Sequence, residues 1–161
     1  MLTRRQAVIG ASLTPILPLF GQVADATKEA LTNSRLIYMT PIKSDGAEST
    51  CKGEVWFMYD GDSQIFVVTQ YEAWRANAIR QGLTSARIWV GEFGIWTRAG
   101  DSYRSAPELM LEGSIEDDVE TQDAALAKMG TKYSDEWGVW GPRFREGLRD
   151  DSRVMLRYTI S

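Results

Sequence analysis

The chain has no histidine and one cysteine, Cys51. Without an imidazole there is no base for a serine-type triad, and the usual zinc sites lose a principal ligand, so both chemistries are excluded. Cys51 has no neighbouring histidine to activate it and reads as a passive thiol. Being alone, it also excludes an internal disulfide. What remains for chemistry is hydroxyl, carboxylate, arginine and aromatic ring. Thr69-Gln70-Tyr71-Glu72 sets a hydroxyl and a carboxylate three residues apart, the spacing of a capping box at a helix start. Glu116-Asp117-Asp118 reads as a solvated loop leading into a helix, whose first turn favours acids. Six tryptophans favour a domain that packs or stacks against something flat. Of these, Trp89 and Trp96 read as core or intersubunit contacts, and Trp137 and Trp140, three apart, as a cover over one end of the fold.

The elements that must hold these residues are mostly strands. Arg35–Ile42 is rich in β-formers and turns at SDGAES. In GEVWFMYDGDSQIFVVT two apolar runs flank Asp60-Gly61-Asp62, a strong hairpin signal. Helical spacing follows in TQYEAWRANAIRQG, with Tyr71, Trp74 and Ala78 on one face and Gly82 as the stop. SARIWVGEF returns to strand, and GIWT is expected to pair with it across Gly94. PELMLEGSIED is expected as a strand bulged at Gly113. DVETQDAALAKMG reads as a helix, and SDEWGVWGPRFREGL as one interrupted at Gly141-Pro142. SRVMLRYTI closes the chain as a strand. Alternation sets Val55, Phe57, Ile65, Val67, Ile88, Val90, Met110, Leu156 and Tyr158 facing inward. About six strands with one crossing helix describe a small barrel, mainly β with flanking helices.

Ahead of this lies MLTRRQAVIGASLTPILPLFGQVADAT. Arg4 and Arg5 precede an apolar run too short and too broken by glycine and proline to span a bilayer, and it ends in small residues two apart, Ala24-Asp25-Ala26. Residues 1–26 therefore read as a signal peptide and 27–161 as one domain. The arginine pair resembles the twin-arginine export signal, which carries proteins already folded, often around a cofactor. A periplasmic or extracellular location is expected, with no stable membrane span after cleavage. Removing the segment moves the formal charge from −4 to about −5. An acidic domain without a basic cluster is not a nucleic-acid binder.

From Leu36 onward the order of pieces resembles the flavin-type split barrel of the pyridoxamine-phosphate-oxidase and deazaflavin-reductase superfamily. The pieces are GEVWFMYDG, VVTQYEAWRANAIRQG, ARIWVG, LEGSIEDD and the tail KYSDEWG…FREGL…SRVMLRYT. The resemblance implies a homodimer that binds FMN or a deazaflavin in a cleft between subunits and acts as an oxidoreductase on a small molecule. The competing reading is a cofactor-free split barrel that binds another ligand or is structural. In relatives the flavin phosphate sits near a strand-to-helix turn, which maps here to Thr69, Gln70 and Tyr71 with Arg75 and Arg80 on the helix; Lys52 and Trp56 would line the same groove. A helix N-terminus and arginine both suit phosphate, whereas Glu72 would repel it. Tyr133 is a candidate proton donor to a substrate, with packing the favoured role.

Overall fold

The computed structural model describes residues 23–161, so most of the expected signal segment lies outside the described residues. Seven strands form one antiparallel sheet: β1 (Ile37–Pro41), β2 (Gly53–Val55), β3 (Met58–Tyr59), β4 (Gln64–Gln70), β5 (Ser85–Val90), β6 (Glu108–Glu116) and β7 (Arg153–Ile160). Their spatial order is β2-β1-β5-β6-β7-β4-β3. The two edge strands, β2 and β3, are thus neighbours in the chain with Trp56 and Phe57 alone between them. So short a link spans at most roughly 10 Å, and the sheet must curl until its edges nearly meet. The result is a split β-barrel, mainly β with flanking helices. GEVWFMY, expected as one strand, is instead broken at Trp56-Phe57 into the two edges of the split.

The seam is closed by a side chain. The Tyr133 hydroxyl accepts from the Phe57 N–H at 2.9 Å, and its oxygen lies 2.8 Å from the Phe57 carbonyl and 2.9 Å from that of Arg35, either of which can accept its proton. Phe57 leaves the strand ladder, and this hydroxyl answers the backbone groups that the ladder would have paired.

Along β4, Ile65, Val67 and Thr69 face the barrel interior, and Val154, Leu156 and Tyr158 do so along β7. Eight of the nine residues expected inward pack on this core. Met110 does not. Leu109 and Leu111 face the core, and Met110 is 37% exposed. The expected bulge at Gly113 is also absent, since β6 stays in register with β7 from Leu111↔Ile160 to Glu116↔Met155. The glycine has another cause. A Cβ there would lie 2.6 Å from the Tyr158 ring and 2.8 Å from Ile79 Cδ1, closer than packed carbons approach.

Among the described residues five α-helices flank the sheet: α1 (Asp25–Asn33), α2 (Trp74–Arg80), α3 (Trp96–Ala99), α4 (Val119–Lys132) and α5 (Trp137–Arg149). Helix α1, which the sequence pattern does not announce, has the expected cleavage position in its first turn and buries Leu31. GIWT does not pair as a strand; Gly94, at φ +74°, turns the chain into α3. Helix α4 starts where the acidic run ends, with the Asp118 carboxylate accepting from Thr121 N at 2.9 Å. Helix α5 continues through Gly141-Pro142 instead of breaking. Proline in a helix clashes with the residue four before it and removes one donor; that residue is Gly138, around which there is open space. Helices α4 and α5 cover the outer face of the sheet, where Leu126, Met129, Tyr133 and Phe144 pack on Met58, Phe66 and Met155. Among the described residues no helix is long and apolar enough to cross a membrane.

Candidate functional site

The capping box is overruled by the sheet. Thr69 and Gln70 remain in β4, opposite Val154 and Arg153, and Tyr71 N–H donates to Ser152 O at 3.0 Å. Helix α2 therefore starts at Trp74, capped at Ala73 with no side-chain hydrogen bond. Extended backbone through residue 70 then divides the expected site between two faces of the sheet.

On the inner side, Thr69 is buried and its Oγ1 accepts from Arg75 Nη1 at 2.9 Å. A Cβ on Gly53 would meet Arg75 Nη2 at 3.4 Å, so β2, β4 and α2 converge on this guanidinium. Lys52, one residue before, is held at 2.7 Å by Glu48, which also binds Arg104 at 3.0 Å and Arg87 at 3.1 Å. The Arg104 hydrogen bonds, and after them those from Lys52, hold the Glu48 carboxyl down to about 2.

On the outer side lies an aromatic groove of about 340 Å³ between the seam and α5. Its floor is Trp56, stacked on Tyr133 with centroids 4.3 Å apart and planes 2° apart, and met edge-on by Trp140 at 6.2 Å and Phe144 at 6.4 Å. Val55, Val68, Glu136 and Arg153 complete the lining. Tyr133 is fully buried beneath Trp56, and burial pushes its phenol well above the usual range. Its hydroxyl is engaged at the seam, and the ring packs beneath Trp56 without lining the groove.

Arg153 is the residue that sequence reading missed. It sits opposite Gln70 in the β4–β7 register, with its guanidinium 5.3 Å from the Phe144 centroid. Its stem rests on Gly147, where a Cβ would lie 2.6 Å away. It lines the aromatic groove and also the next recess, of about 400 Å³, with Gln70, Tyr71, Glu72, Asp151 and Ser152. A third recess continues from Tyr71 and Arg153 to Arg80. Trp56, Gln70, Tyr71 and Arg80 thus line three neighbouring recesses that share Arg153, while Thr69, Arg75 and Lys52 line none of them. Arg80 is engaged there: it lies 3.8 Å over the Tyr71 ring and donates to Tyr71 O at 2.7 Å and Asn77 Oδ1 at 2.9 Å. Nothing in a lone arginine of a C-terminal strand marks it; strand pairing alone brings Arg153 to Gln70.

These recesses can hold a flat ring stacked on Trp56 or on Trp140 and an anionic arm on the Arg153 fork. Glu72, Glu136 and Asp151 oppose part of that attraction. Among the described residues no three side chains converge as metal ligands.

No protein-family profile matches the chain, and no curated protein sequence matches it significantly. Solved structures do. HutZ from Vibrio cholerae, described as a heme storage protein, superposes with a TM-score of 0.57 at 14% identity, over 88% of this chain and 92% of its own. A provisionally described pyridoxamine 5'-phosphate oxidase from Listeria innocua gives 0.54 at 13%, over 85% and 92%. A provisionally described 5-nitroimidazole antibiotic resistance protein from Bacteroides thetaiotaomicron gives 0.54 at 10%, over 86% and 80%. At such identities the likeness establishes the fold, a split barrel of the kind found in pyridoxamine 5'-phosphate oxidase-like proteins.

Proposed function

We propose that this chain is an exported split-barrel protein that binds a flavin-type cofactor, FMN or a deazaflavin, and serves as an oxidoreductase for a small molecule. The observation that carries the reading is Arg153, an arginine on the rim of an aromatic groove and next to a second polar recess. The donor set suits such a cofactor: stacked tryptophan for the ring, the Gln70 amide for its polar edge, and the Arg153 fork for the phosphate. When bound, the ring would supply two-electron chemistry. The chain's own residues bind and orient. Trp56, braced from behind by Tyr133, fixes the plane of the ring, and Val55 and Val68 keep water from one edge. The groove is open along one side, and a second copy of the chain is the cover that a homodimer would provide.

Arg75 belongs to the same proposal as the rival phosphate anchor, because its guanidinium spends one N–H on Thr69 and has the rest to offer. A titration of FMN and a deazaflavin into the purified protein, followed by absorbance, separates the two. Loss of one charge-assisted contact weakens binding by about ten- to a hundredfold. That loss is expected in Arg153→Ala and not in Arg75→Ala; the reverse moves the phosphate to the barrel end, and no binding of either ligand to the wild type refutes the cofactor.

A cofactor-free ligand-binding barrel is the second reading, favoured by Glu72, Glu136 and Asp151, whose charges oppose a phosphate. Heme, named for the Vibrio cholerae neighbour, would have to be ligated here without histidine.

A further inference from the structure

A second cavity, an open recess of about 430 Å³, is bordered by α1, α4 and the β3–β4 turn. Leu31, Met58 and Tyr59 give it an apolar wall. Its charged wall is Lys128 and Lys132, four residues apart on α4 and so on one helix face. Lys132 is half-buried, with Nζ 3.5 Å from the centroid of the Phe57 ring and 3.5 Å from the Leu31 carbonyl, its one hydrogen-bond partner among the described residues. Among the described residues neither lysine makes an ion pair. The one acid lining the cavity, Asp60, is committed elsewhere, its Oδ1 accepting from the N–H groups of Asp62, Ser63 and Gln64 within the turn.

A half-buried ammonium over an aromatic face, with no carboxylate in ion-pair contact, costs solvation that a ring, one long carbonyl contact and the more distant Glu92 charge return only in part. Arg35, whose charge also acts on Lys132, is by contrast paired with Asp135 and Glu136. We propose that this cavity is a binding site for a small oxyanion on an apolar body, its carboxylate or phosphate held between Lys132 and Lys128 and its body against Leu31 and Met58. The site is separate from the aromatic groove, so it stands or falls independently of flavin binding.

The charges facing Lys132 make the site readable by pH. Burial is the main influence and lowers its amine to about 8, Glu92 raises it and Arg35 lowers it, with Lys128 one turn away on the same wall. An arriving anion favours the charged amine and raises that value, so binding near pH 8 draws in a proton. The probes are benzoate, phenyl phosphate and inorganic phosphate, titrated into the wild-type protein by calorimetry in two buffers of different ionisation enthalpy. Saturable binding of benzoate or phenyl phosphate with proton uptake is expected, weakened about tenfold between pH 7 and pH 9.5. Lys132→Met should weaken it by at least about tenfold while Lys132→Arg largely keeps it, and Lys128→Met should have the smaller effect. Saturation by inorganic phosphate as tight as by phenyl phosphate would remove the apolar body from the proposal. No saturable binding, no proton uptake, or binding indifferent to Lys132→Met overturns it. If Lys132→Met does not fold, proton uptake by the wild type decides.

Discussion

The Tyr133 hydroxyl, 76 residues along the chain from the backbone groups it serves, shows how much one atom carries here. It is the partner of both Phe57 backbone groups at the break between β2 and β3. Tyr133→Phe leaves a buried N–H unanswered and should cost about 1–3 kcal/mol in chemical denaturation. Val67 and Ile88 are fully buried in the barrel, and truncating either to alanine should cost on the order of 1–4 kcal/mol through lost burial and a cavity. Unchanged midpoints in both would put the strand phase out by one residue. Glu48 gives a pH signature. Its carboxyl, held at about 2 by Arg104 and Lys52 against an ordinary 4.5, favours the folded state above its unfolded value and loses that contribution as pH falls through 4.5 toward 2. Wild type should therefore lose more stability than Glu48→Gln between pH 5 and pH 2.5, by roughly 2–3 kcal/mol at most.

At the scale of elements, local and long-range preferences compete, and the longer-range one wins wherever a strand is involved. Thr69 to Glu72 can cap a helix, yet pairing Thr69 and Gln70 with Val154 and Arg153 secures ladder hydrogen bonds and buries the Thr69 side chain in the barrel end. Asp118, with no strand to compete for it, caps α4 as its position suggests. Asp118→Ala should lower stability by about 1 kcal/mol, whereas Thr69→Ser, which keeps the hydroxyl for Arg75, should change it little. A loss at Thr69→Ser equal to that of Thr69→Ala would show that its methyl packing, not the bond to Arg75, is what matters. Gly113→Ala tests the other kind of element effect. A methyl there must displace the Tyr158 ring and the end of the Ile79 side chain, and overpacking of that sort typically costs about 1–3 kcal/mol.

The whole molecule poses two questions, where it resides and whether it is alone. Replacing Arg4 and Arg5 with lysine should stop export by the twin-arginine route and leave folded protein in the cytoplasm; unchanged export would make the pair incidental. In solution a mass near twice that of the chain is expected, with the second copy closing the open side of the aromatic groove. A monomer over a wide concentration range would remove the intersubunit cleft from the flavin proposal.

By itself the sequence determined the class of fold and most of its interior. Period-two alternation in β4, β5 and β7, the Asp-Gly hairpin turn and the stop at Gly82 are local signals, each carried by neighbouring residues, and the structure keeps them all. The absence of histidine restricted the chemistry just as directly. The phase of β6 was less legible, because Leu109, Met110 and Leu111 are all apolar and only their pairing with β5 and β7 decides which face the core. The break at Trp56-Phe57 was not legible at all: it follows from closing a seven-stranded sheet on itself, and its bond to Tyr133 joins residues 76 apart. The candidate site belongs to the same class of fact. Gln70 and Arg153 are 83 positions apart in the sequence and directly opposed in the sheet, and alternation sends Thr69 inward and Gln70 outward once the strand runs through both. Proximity along the chain grouped Thr69 with Gln70; hydrogen-bond register across the barrel separated them and set Arg153 beside the aromatic groove.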